Sequence, residues 1–373
     1  MMRGAPDPYA AVPGELRELF GPELAPVLRR LGERPRGAAD GPSARLGEED
    51  AGTRDAVWAT LAELGALGPR AEEERTALAG LMGAALYQSP YADTVTAAAL
   101  LTATGDPAYG PLLDAAALGA APLALAVRED GLSGPARPGA LTVRREADGY
   151  AVDGRRPFTA FAADCGHLVV VGTRSDGETV LALVPREQPG VRLTRRDDIG
   201  RGDLYAVGLD RAAVSGAVHP VGALWPGVLA AARVRHAAAL AGAARAAVDL
   251  AAERLRSRHA FGGPLARQQA PAHRLAALAA EAATAAAFAR AQAAAADRGR
   301  DVRRGGAQAL YLAGELARRA AAESVHLHGA HGMTEAGDAQ LFLRRAAVDS
   351  QWLGTGTELL REAAASAPVP NPR

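Results

Sequence analysis

The chain has 373 residues, of which 49% are hydrophobic but only 4% aromatic. Its 42 Lys and Arg residues balance 42 Asp and Glu residues, so the net charge at neutral pH is zero. A neutral chain without a basic block gives no indication of nucleic-acid binding. The most apolar stretch, residues 237–252, is interrupted by Arg245 and Asp249, so we expect no membrane span. The length predicts two or three packed units.

The cysteine content and the first residues bear on the location of the protein. Cys165 is the only cysteine, which excludes an internal disulfide and is typical of a reducing compartment. Residues 1–9 lack the apolar run of a signal peptide. We therefore expect a cytoplasmic protein.

The first third of the chain has the period of helices. Apolar residues at helical spacing predict helices at 14–31, 54–64, 72–87 and 94–104. Pro22 and Pro26 predict a break within the first of these segments. Residues 32–53 are rich in Gly, Pro and charge, and predict a loop. We expect a helical N-terminal domain over 1–120.

The period changes to about two near residue 121. Frequent β-branched residues separated by Gly-containing turns predict strands at 123–127, 141–145, 150–153, 167–173, 179–184, 191–194 and 205–209. The second and third strands are joined by the turn 146–149, which indicates a hairpin. We expect a compact β domain over 121–222.

The last part of the chain is rich in alanine, the best helix former. It predicts helices near 227–259, 266–298, 304–327, 338–352 and 356–366, with a loop at 261–264. We expect a helical bundle over 223–366 and a disordered Pro-rich tail at 367–373.

Several local strings, taken in order, resemble those of the acyl-CoA dehydrogenase family. Residues 258–265 with Gln269 resemble its Arg-x-x-Phe-Gly turn, and residues 328–334 resemble its His-Gly-Gly-x-Gly-x-Thr segment. Residues 129–131 resemble the start of its substrate loop, and residues 148–154 resemble the hairpin before its flavin-facing strand. The resemblance implies an α+β, mainly α fold, with an N-terminal helical domain, a small middle β-barrel or sandwich, and a C-terminal four-helix bundle.

The resemblance implies FAD as the cofactor. In the family, the Arg and Phe of the turn contact FAD bound by the neighbouring subunit, which here means Arg258 and Phe261. An arginine offers a planar fork to a pyrophosphate oxygen. Gln269 would be a further contact, and Phe158 would lie against the isoalloxazine ring. The same resemblance places the following residues beside the cofactor: His326, Gly329 and Thr357.

Structural roles are the alternative for each of these side chains. Arg258 would then be a helix-end arginine, Phe261 a core aromatic and Phe158 a buried strand aromatic. The three histidines of the 326–331 segment have no carboxylate or cysteine partner at a suitable spacing, so we predict no metal site.

The family's reaction removes the α proton of an acyl thioester with a carboxylate, while a hydride passes from the β carbon to the flavin. The usual Glu precedes a Gly-Thr pair, which places Leu353 or Thr355 at that position here. A second family position for the base falls on Ala232. None of these residues is a base, and the first carboxylate that follows the Gly-Thr pairs along the chain is Glu358.

The candidate catalytic residues are therefore Arg233, Thr355 and Glu358. In the family the arginine beside the second base position lies near the base, although a surface arginine on a long helix is an equally good interpretation of Arg233.

The resemblance also gives candidate substrate contacts in the loop that begins at residue 128. These are Arg128, which replaces a Thr of the family's loop, together with Gly131 and Ser133. A further departure is Ala160, which stands where the family has a Ser or Thr that hydrogen-bonds the flavin.

Three functions remain open at this stage. The first is a flavoenzyme of specialised metabolism with altered chemistry, acting on an acyl-CoA or acyl-carrier-protein thioester and passing electrons to electron-transfer flavoprotein or oxygen. The second is a non-catalytic partner subunit that completes a neighbour's flavin site. The third is a purely structural bundle. We expect a homotetramer or a heteromer with a homologous chain, and no nucleic-acid or membrane partner.

Overall fold

A computed structural model of the chain describes residues 9–31, 48–128 and 141–365. The predicted substrate contacts Gly131 and Ser133 lie outside these residues, as does the predicted tail at 367–373.

Helices precede the first strand in the described part of the chain. They are α1 (Gly14–Glu18), α2 (Ala25–Arg30), α3 (Glu48–Glu63), α4 (Glu72–Ala84), α5 (Tyr91–Thr104) and α6 (Gly110–Ala117). The predicted break near Pro22 is confirmed, because α1 and α2 are separate helices. Pro26 does not break α2, since it occupies the first turn, where its missing N–H has no helical partner to lose.

One prediction for this region is wrong in part, and one helix was not predicted. The loop predicted at 32–53 ends earlier, because α3 begins at Glu48 rather than near Arg54. The sequence analysis also missed α6, whose first turn contains a proline. A proline at this position favours the start of a helix, whereas its presence between apolar residues suggests a turn.

The middle of the chain forms one eight-stranded sheet. Its strands are β1 (Leu123–Ala126), β2 (Leu141–Glu146), β3 (Gly149–Ala160), β4 (His167–Arg174), β5 (Thr179–Pro185), β6 (Val191–Arg196), β7 (Leu204–Ala213) and β8 (His219–Pro220). The order is β6-β7-β3-β2-β4-β5-β8, and β1 pairs in parallel with β4. The predicted hairpin is confirmed, with Glu146 opposite Gly149.

Strand β3 is longer than predicted and continues to Ala160. Within it, Arg156 is fully buried and donates to the carbonyl oxygens of Ala126 and Val171, at 3.2 and 2.7 Å. A buried guanidinium needs such acceptors. The arginine therefore ties β3 to β1 and β4.

The C-terminal part is a helical bundle of α7 (Trp225–Ser257), α8 (Gln269–Asp297), α9 (Arg303–His328), α10 (Ala339–Asp349) and α11 (Gly356–Ala365). The loop predicted between the first two helices is a small hairpin of β9 (His259–Ala260) and β10 (Gly263–Pro264). The chain therefore has the mainly helical α+β fold that the sequence predicts.

The helices α4 and α7 cross at very short range. A Cβ atom at Gly83 would overlap the carbonyl oxygen of Ala239, and one at Gly242 would overlap that of Gly80. Glycine permits this approach because it has no side chain. The crossing fixes one wall of the cavity described below.

Candidate functional site

A cavity of about 120 Å³ lies where α4, α5, α7 and α10 meet the end of β3. Its wall is mainly apolar, as in most small-molecule sites. The apolar lining includes Met82, Leu86, Leu125, Ala232, Leu240 and Leu353. Ala160, at the last position of β3, also lines it.

Two of the three positions where the resemblance could place a catalytic carboxylate meet at this cavity, and the third, Thr355, does not line it. Ala232 lies on α7 and Leu353 between α10 and α11, and both line the wall. Arg233, which is 1% exposed, donates from Nε to the carbonyl oxygen of Leu353 at 2.9 Å. Its Nη1 pairs with Glu362 at 2.5 Å. Arg233 therefore holds the two base positions together, and neither carries an ionisable group.

Thr355 and Glu358 form a capping box at the start of α11. Glu358 Oε2 accepts from the backbone N–H of Thr355 at 2.9 Å and from its hydroxyl at 3.0 Å. The N–H of Glu358 donates back to Thr355 Oγ1 at 3.4 Å. Neither residue lines the cavity. This geometry gives both residues a structural role, and the prediction that Glu358 acts as the base stays a prediction without geometric support.

A buried charge cluster forms another side of the cavity. Asp349 pairs with Arg201 at 2.8 Å and with Arg345 at 2.9 Å. Burial would raise the pKa of Asp349, but the two guanidinium groups outweigh it and keep the pKa below its usual value. His236 Nε2 donates to the backbone carbonyl of Asp349 at 2.8 Å, and burial lowers the pKa of His236 to about 4.

Arg128 stacks between two aromatic rings beside the cavity. Its guanidinium carbon lies 5.4 Å from the centroid of Phe158 and 4.5 Å from that of Trp352. Arg201 covers the Trp352 ring at 3.7 Å. Burial and the neighbouring Arg201 lower the pKa of Arg128 to about 10, so it stays charged at neutral pH. The ring expected to face a flavin is therefore in contact with a cation.

The 258–264 turn lies away from the cavity and faces outward. Phe261 is 90% exposed and adopts a positive φ of 54°, which bulky residues rarely do. Arg258 is also exposed, and a Cβ at Gly329 would lie 3.5 Å from its Nη1. The structure thus brings the predicted cofactor residues Arg258 and Gly329 together at the surface.

The remaining predicted cofactor residues are dispersed over exposed helix ends. Gln269 begins α8, His326 lies near the end of α9, and Thr357 lies in the first turn of α11. All three are exposed. None of the predicted cofactor residues named here lines the cavity.

The sequence analysis missed most of the polar residues at the cavity. Asp93, Arg201, His236 and Asp349 come from four separate parts of the chain, and no motif marked them. The one available signal was the i, i+4 pair of Arg345 and Asp349 on a helix close to the expected base.

Two general findings concern the described residues only. They contain no group of three or more His, Cys, Asp or Glu side chains arranged to hold a metal ion. No helix among them combines the length and apolarity needed to cross a membrane.

Comparison with known proteins places the C-terminal region in a family. Residues 225–367 match the model of "Acyl-CoA dehydrogenase, C-terminal domain". The probable acyl-CoA dehydrogenase FadE2 of Mycobacterium tuberculosis is 32% identical over 157 residues. That alignment covers 36% of this chain and 37% of FadE2.

Solved structures resemble this chain over nearly its whole length. A variant of the Tcur3481–Tcur3483 steroid ACAD has a TM-score of 0.82 at 24% identity, over 94% of this chain and 95% of that one. The ChsE4–ChsE5 complex of M. tuberculosis has a TM-score of 0.77 at 20% identity, over 96% and 99%. Residues 225–367 are therefore similar to the acyl-CoA dehydrogenase C-terminal domain, and the described residues have the fold of the acyl-CoA dehydrogenases.

Proposed function

We propose that this chain is a subunit of an FAD-dependent oxidoreductase that acts on an acyl thioester of CoA or acyl carrier protein, with altered chemistry suited to specialised metabolism. The observation that carries the proposal is that Ala232, Leu353 and Ala160 line one cavity. The resemblance assigns Ala232 and Leu353 to alternative positions of the base and Ala160 to a flavin hydrogen bond. Their meeting supports a reaction site at this cavity, although none of the three carries the family's usual acid–base group.

The exposed residues of the 258–264 turn have the chemistry to contact FAD bound by a neighbouring subunit. Exposed Arg258 offers a guanidinium to a pyrophosphate, and exposed Phe261 offers a large apolar face that its own chain does not cover. On the chain's own side, Phe158 and Arg128 would border the ring. FAD, when bound, supplies the hydride acceptor. Electrons would then pass to electron-transfer flavoprotein or oxygen.

Asp349, the carboxylate nearest to Leu353 in the chain, does not simply replace the missing base. Asp349 is held ionised between two arginines, and its lowered pKa makes it a weak proton acceptor. Ordinary α-proton removal by a carboxylate at Ala232 or Leu353 is therefore not the reaction we propose. Oxidation of a hydroxyacyl group, oxidation coupled to decarboxylation, and oxygen activation do not need that carboxylate.

The test begins with the purified full chain, its visible absorption spectrum and its mass in solution. We expect bound flavin that is bleached anaerobically by one or more acyl thioesters of CoA or acyl carrier protein. Leu353→Glu should add bleaching by a saturated acyl-CoA, because it puts a carboxylate in the cavity wall. Leu360→Glu, on the exposed side of α11, is the matched control and should add none. Flavin that stays oxidised in both the natural chain and Leu353→Glu would contradict the proposal.

A second candidate is the non-catalytic partner subunit of a heteromeric assembly. It is favoured by the contrast between an exposed turn that suits a neighbour's FAD and a cavity with no base at either usual position. The similar ChsE4–ChsE5 structure is itself a complex of two named chains. A colourless chain that acquires flavin only when co-expressed with a homologous chain would support this candidate over a self-sufficient homotetramer.

A further inference from the structure

One carboxyl group at the cavity has an unused oxygen. Asp93 lies in the first turn of α5 and lines the cavity. Its Oδ2 is buried and accepts no hydrogen bond from any residue that the structure describes. Buried polar atoms in native proteins are nearly always hydrogen-bonded, so an orphaned carboxyl oxygen at a cavity requires an explanation.

The groups around Asp93 do not compensate its charge. The backbone N–H of Leu125 hydrogen-bonds the carboxyl, but Arg201 reaches Asp93 only through its field, because its guanidinium is bound to Asp349. The Cys165 thiol also interacts electrostatically with Asp93, but it is buried and neutral and brings no positive charge. Burial therefore outweighs Arg201 and raises the pKa of Asp93 to about 7.

A purely structural role explains Asp93 less well. An acidic side chain in the first turn of a helix usually complements the helix dipole, and this works best when the charge remains hydrated. Asp93 is instead desolvated, so much of the favourable dipole interaction is opposed by burial. A ligand atom that donates to Oδ2 would remove the deficit without any change in the fold.

The lining and volume of the cavity limit the size and polarity of the ligand that could carry this donor atom. The wall of the cavity as a whole is mostly apolar, and Arg235 is already bound to Glu72 and to Thr96. The volume, about 120 Å³, is slightly below that of an engineered cavity that admits benzene, so the buried part of a ligand has about six carbons or fewer. A short apolar chain with one polar substituent matches this lining.

We propose that Asp93 hydrogen-bonds a hydroxyl group on the acyl portion of the ligand, so that the cavity selects a short hydroxyacyl thioester over its unsubstituted analogue. This assignment rests on the proposed function, because it takes the thioester as the ligand class. A hydroxyl group suits Asp93 in both protonation states, since it donates to the carboxylate and accepts from the neutral acid. Asp93 is then a specificity-determining residue, and no proton transfer is assigned to it.

The experiment measures binding rather than turnover. Calorimetric titration of the full chain with butyryl-CoA and with its 2-, 3- and 4-hydroxy derivatives gives four dissociation constants. We expect at least one hydroxy derivative to bind roughly 10- to 100-fold more tightly than butyryl-CoA, which is the usual range for one hydrogen bond to a charged or partly charged group.

Variants test whether Asp93 is the source of the preference for a hydroxyacyl thioester. Asp93→Leu should abolish the preference and tighten butyryl-CoA binding, whereas Asp93→Asn, whose amide both donates and accepts, should retain part of it. Asp114→Asn, on the exposed side of α6, is the matched control and should change nothing. Thermal unfolding of each variant verifies that it is folded.

The outcomes distinguish this assignment from the proposed function. Equal binding of all four thioesters, or a preference that persists in folded Asp93→Leu, would overturn the role of Asp93 and leave the thioester function intact. Failure of the natural chain to bind any of the four, together with flavin that no thioester bleaches, would overturn both.

Discussion

The cavity and the 258–264 turn differ in what surrounds their characteristic side chains. At the cavity, Ala232 and Leu353 are buried among apolar neighbours, and a change there alters packing as well as chemistry. At the turn, Phe261 is almost fully exposed and adds nothing to the core of its own chain. The difference teaches that packing within the chain holds the residues of the first region in place, whereas it does not hold the Phe261 side chain of the second.

The largest effect should come from filling the glycine crossing that forms the cavity wall. In Gly83→Ala, the added methyl group would overlap the backbone of Ala239, so α4 must move away from α7. Overpacking of a rigid backbone contact should lower the free energy of unfolding by about 3 kcal/mol or more. Chemical denaturation measures this directly.

A matched glycine on a neighbouring helix provides the control. Gly110 begins α6, and a Cβ there meets nothing within 4 Å. Gly110→Ala should therefore be neutral or slightly stabilising. Equal effects of the two substitutions would show that the close crossing of α4 and α7 does not constrain the cavity.

The next effect concerns the arginine that joins the two base positions. Arg233→Met removes the bond to the Leu353 carbonyl and the pair with Glu362, and should destabilise the chain by about 2 kcal/mol, since Glu362 remains partly hydrated. Arg245→Met, on the exposed side of the same helix, breaks only a surface pair with Asp249 and should cost about 0.5 kcal/mol or less.

Catalysis and stability can be separated in this variant. If Arg233 acts only through structure, Arg233→Met should loosen the 353–362 segment, and hydrogen exchange there should rise. Unchanged exchange with an altered flavin spectrum would instead support the predicted catalytic role.

The long helices and the main hairpin were predictable because their signals are local. Alanine-rich periodicity fixed α7, α8 and α9 to within a few residues, and an Asp-Gly turn fixed the β2–β3 hairpin. The start of α3 was missed because Gly52 and a run of acidic residues suggest a loop, although Glu48–Glu63 forms one continuous helix.

The set of residues that lines the cavity could not be predicted from the sequence one position at a time. The sequence marked Ala232 and Leu353 as places without a base, but it did not indicate that Arg233 would join them. Asp93 and Asp349 lie 256 residues apart in the chain and meet the same cavity only after folding. Charge, burial and hydrogen bonding of such groups are properties of the assembled structure.

A third prediction uses two partly buried groups of the cavity wall, Asp93 and His236, whose pKa shifts have opposite signs. The pKa of Asp93 is raised from 3.8 to about 7, so the unfolded chain loses that proton first and stability falls as the pH rises from about 4 to about 7. The pKa of His236 is lowered from 6.5 to about 4, so the unfolded chain gains that proton first and stability falls as the pH drops from 6.5 to 4. In the natural chain, these two contributions to the pH dependence of the free energy of unfolding oppose each other.

Asp93→Asn removes the contribution of Asp93 to the pH dependence of the free energy of unfolding. Its unfolding free energy should rise from pH 4.5 to 6.5 relative to that of the natural chain, and the difference should become constant above about pH 7. Urea denaturation between pH 4.5 and 8 measures this, with Asp114→Asn as the exposed-acid control. A constant difference between variant and natural chain at all pH values would show that Asp93 is not desolvated as described.

The smallest effect on stability should come from the turn. Phe261→Asn replaces an exposed side chain at a positive φ, where asparagine is better tolerated, so the free energy of unfolding should change by less than about 0.5 kcal/mol. The same variant should nevertheless lose FAD from the assembly on gel filtration, because the neighbour's cofactor would lose its aromatic contact. Leu312→Gln, which removes another exposed apolar side chain on α9, should retain FAD. If Phe261→Asn retained all of its FAD, the turn would not be a contact for a neighbour's cofactor. The cavity and the turn would then differ only in how far their side chains are buried.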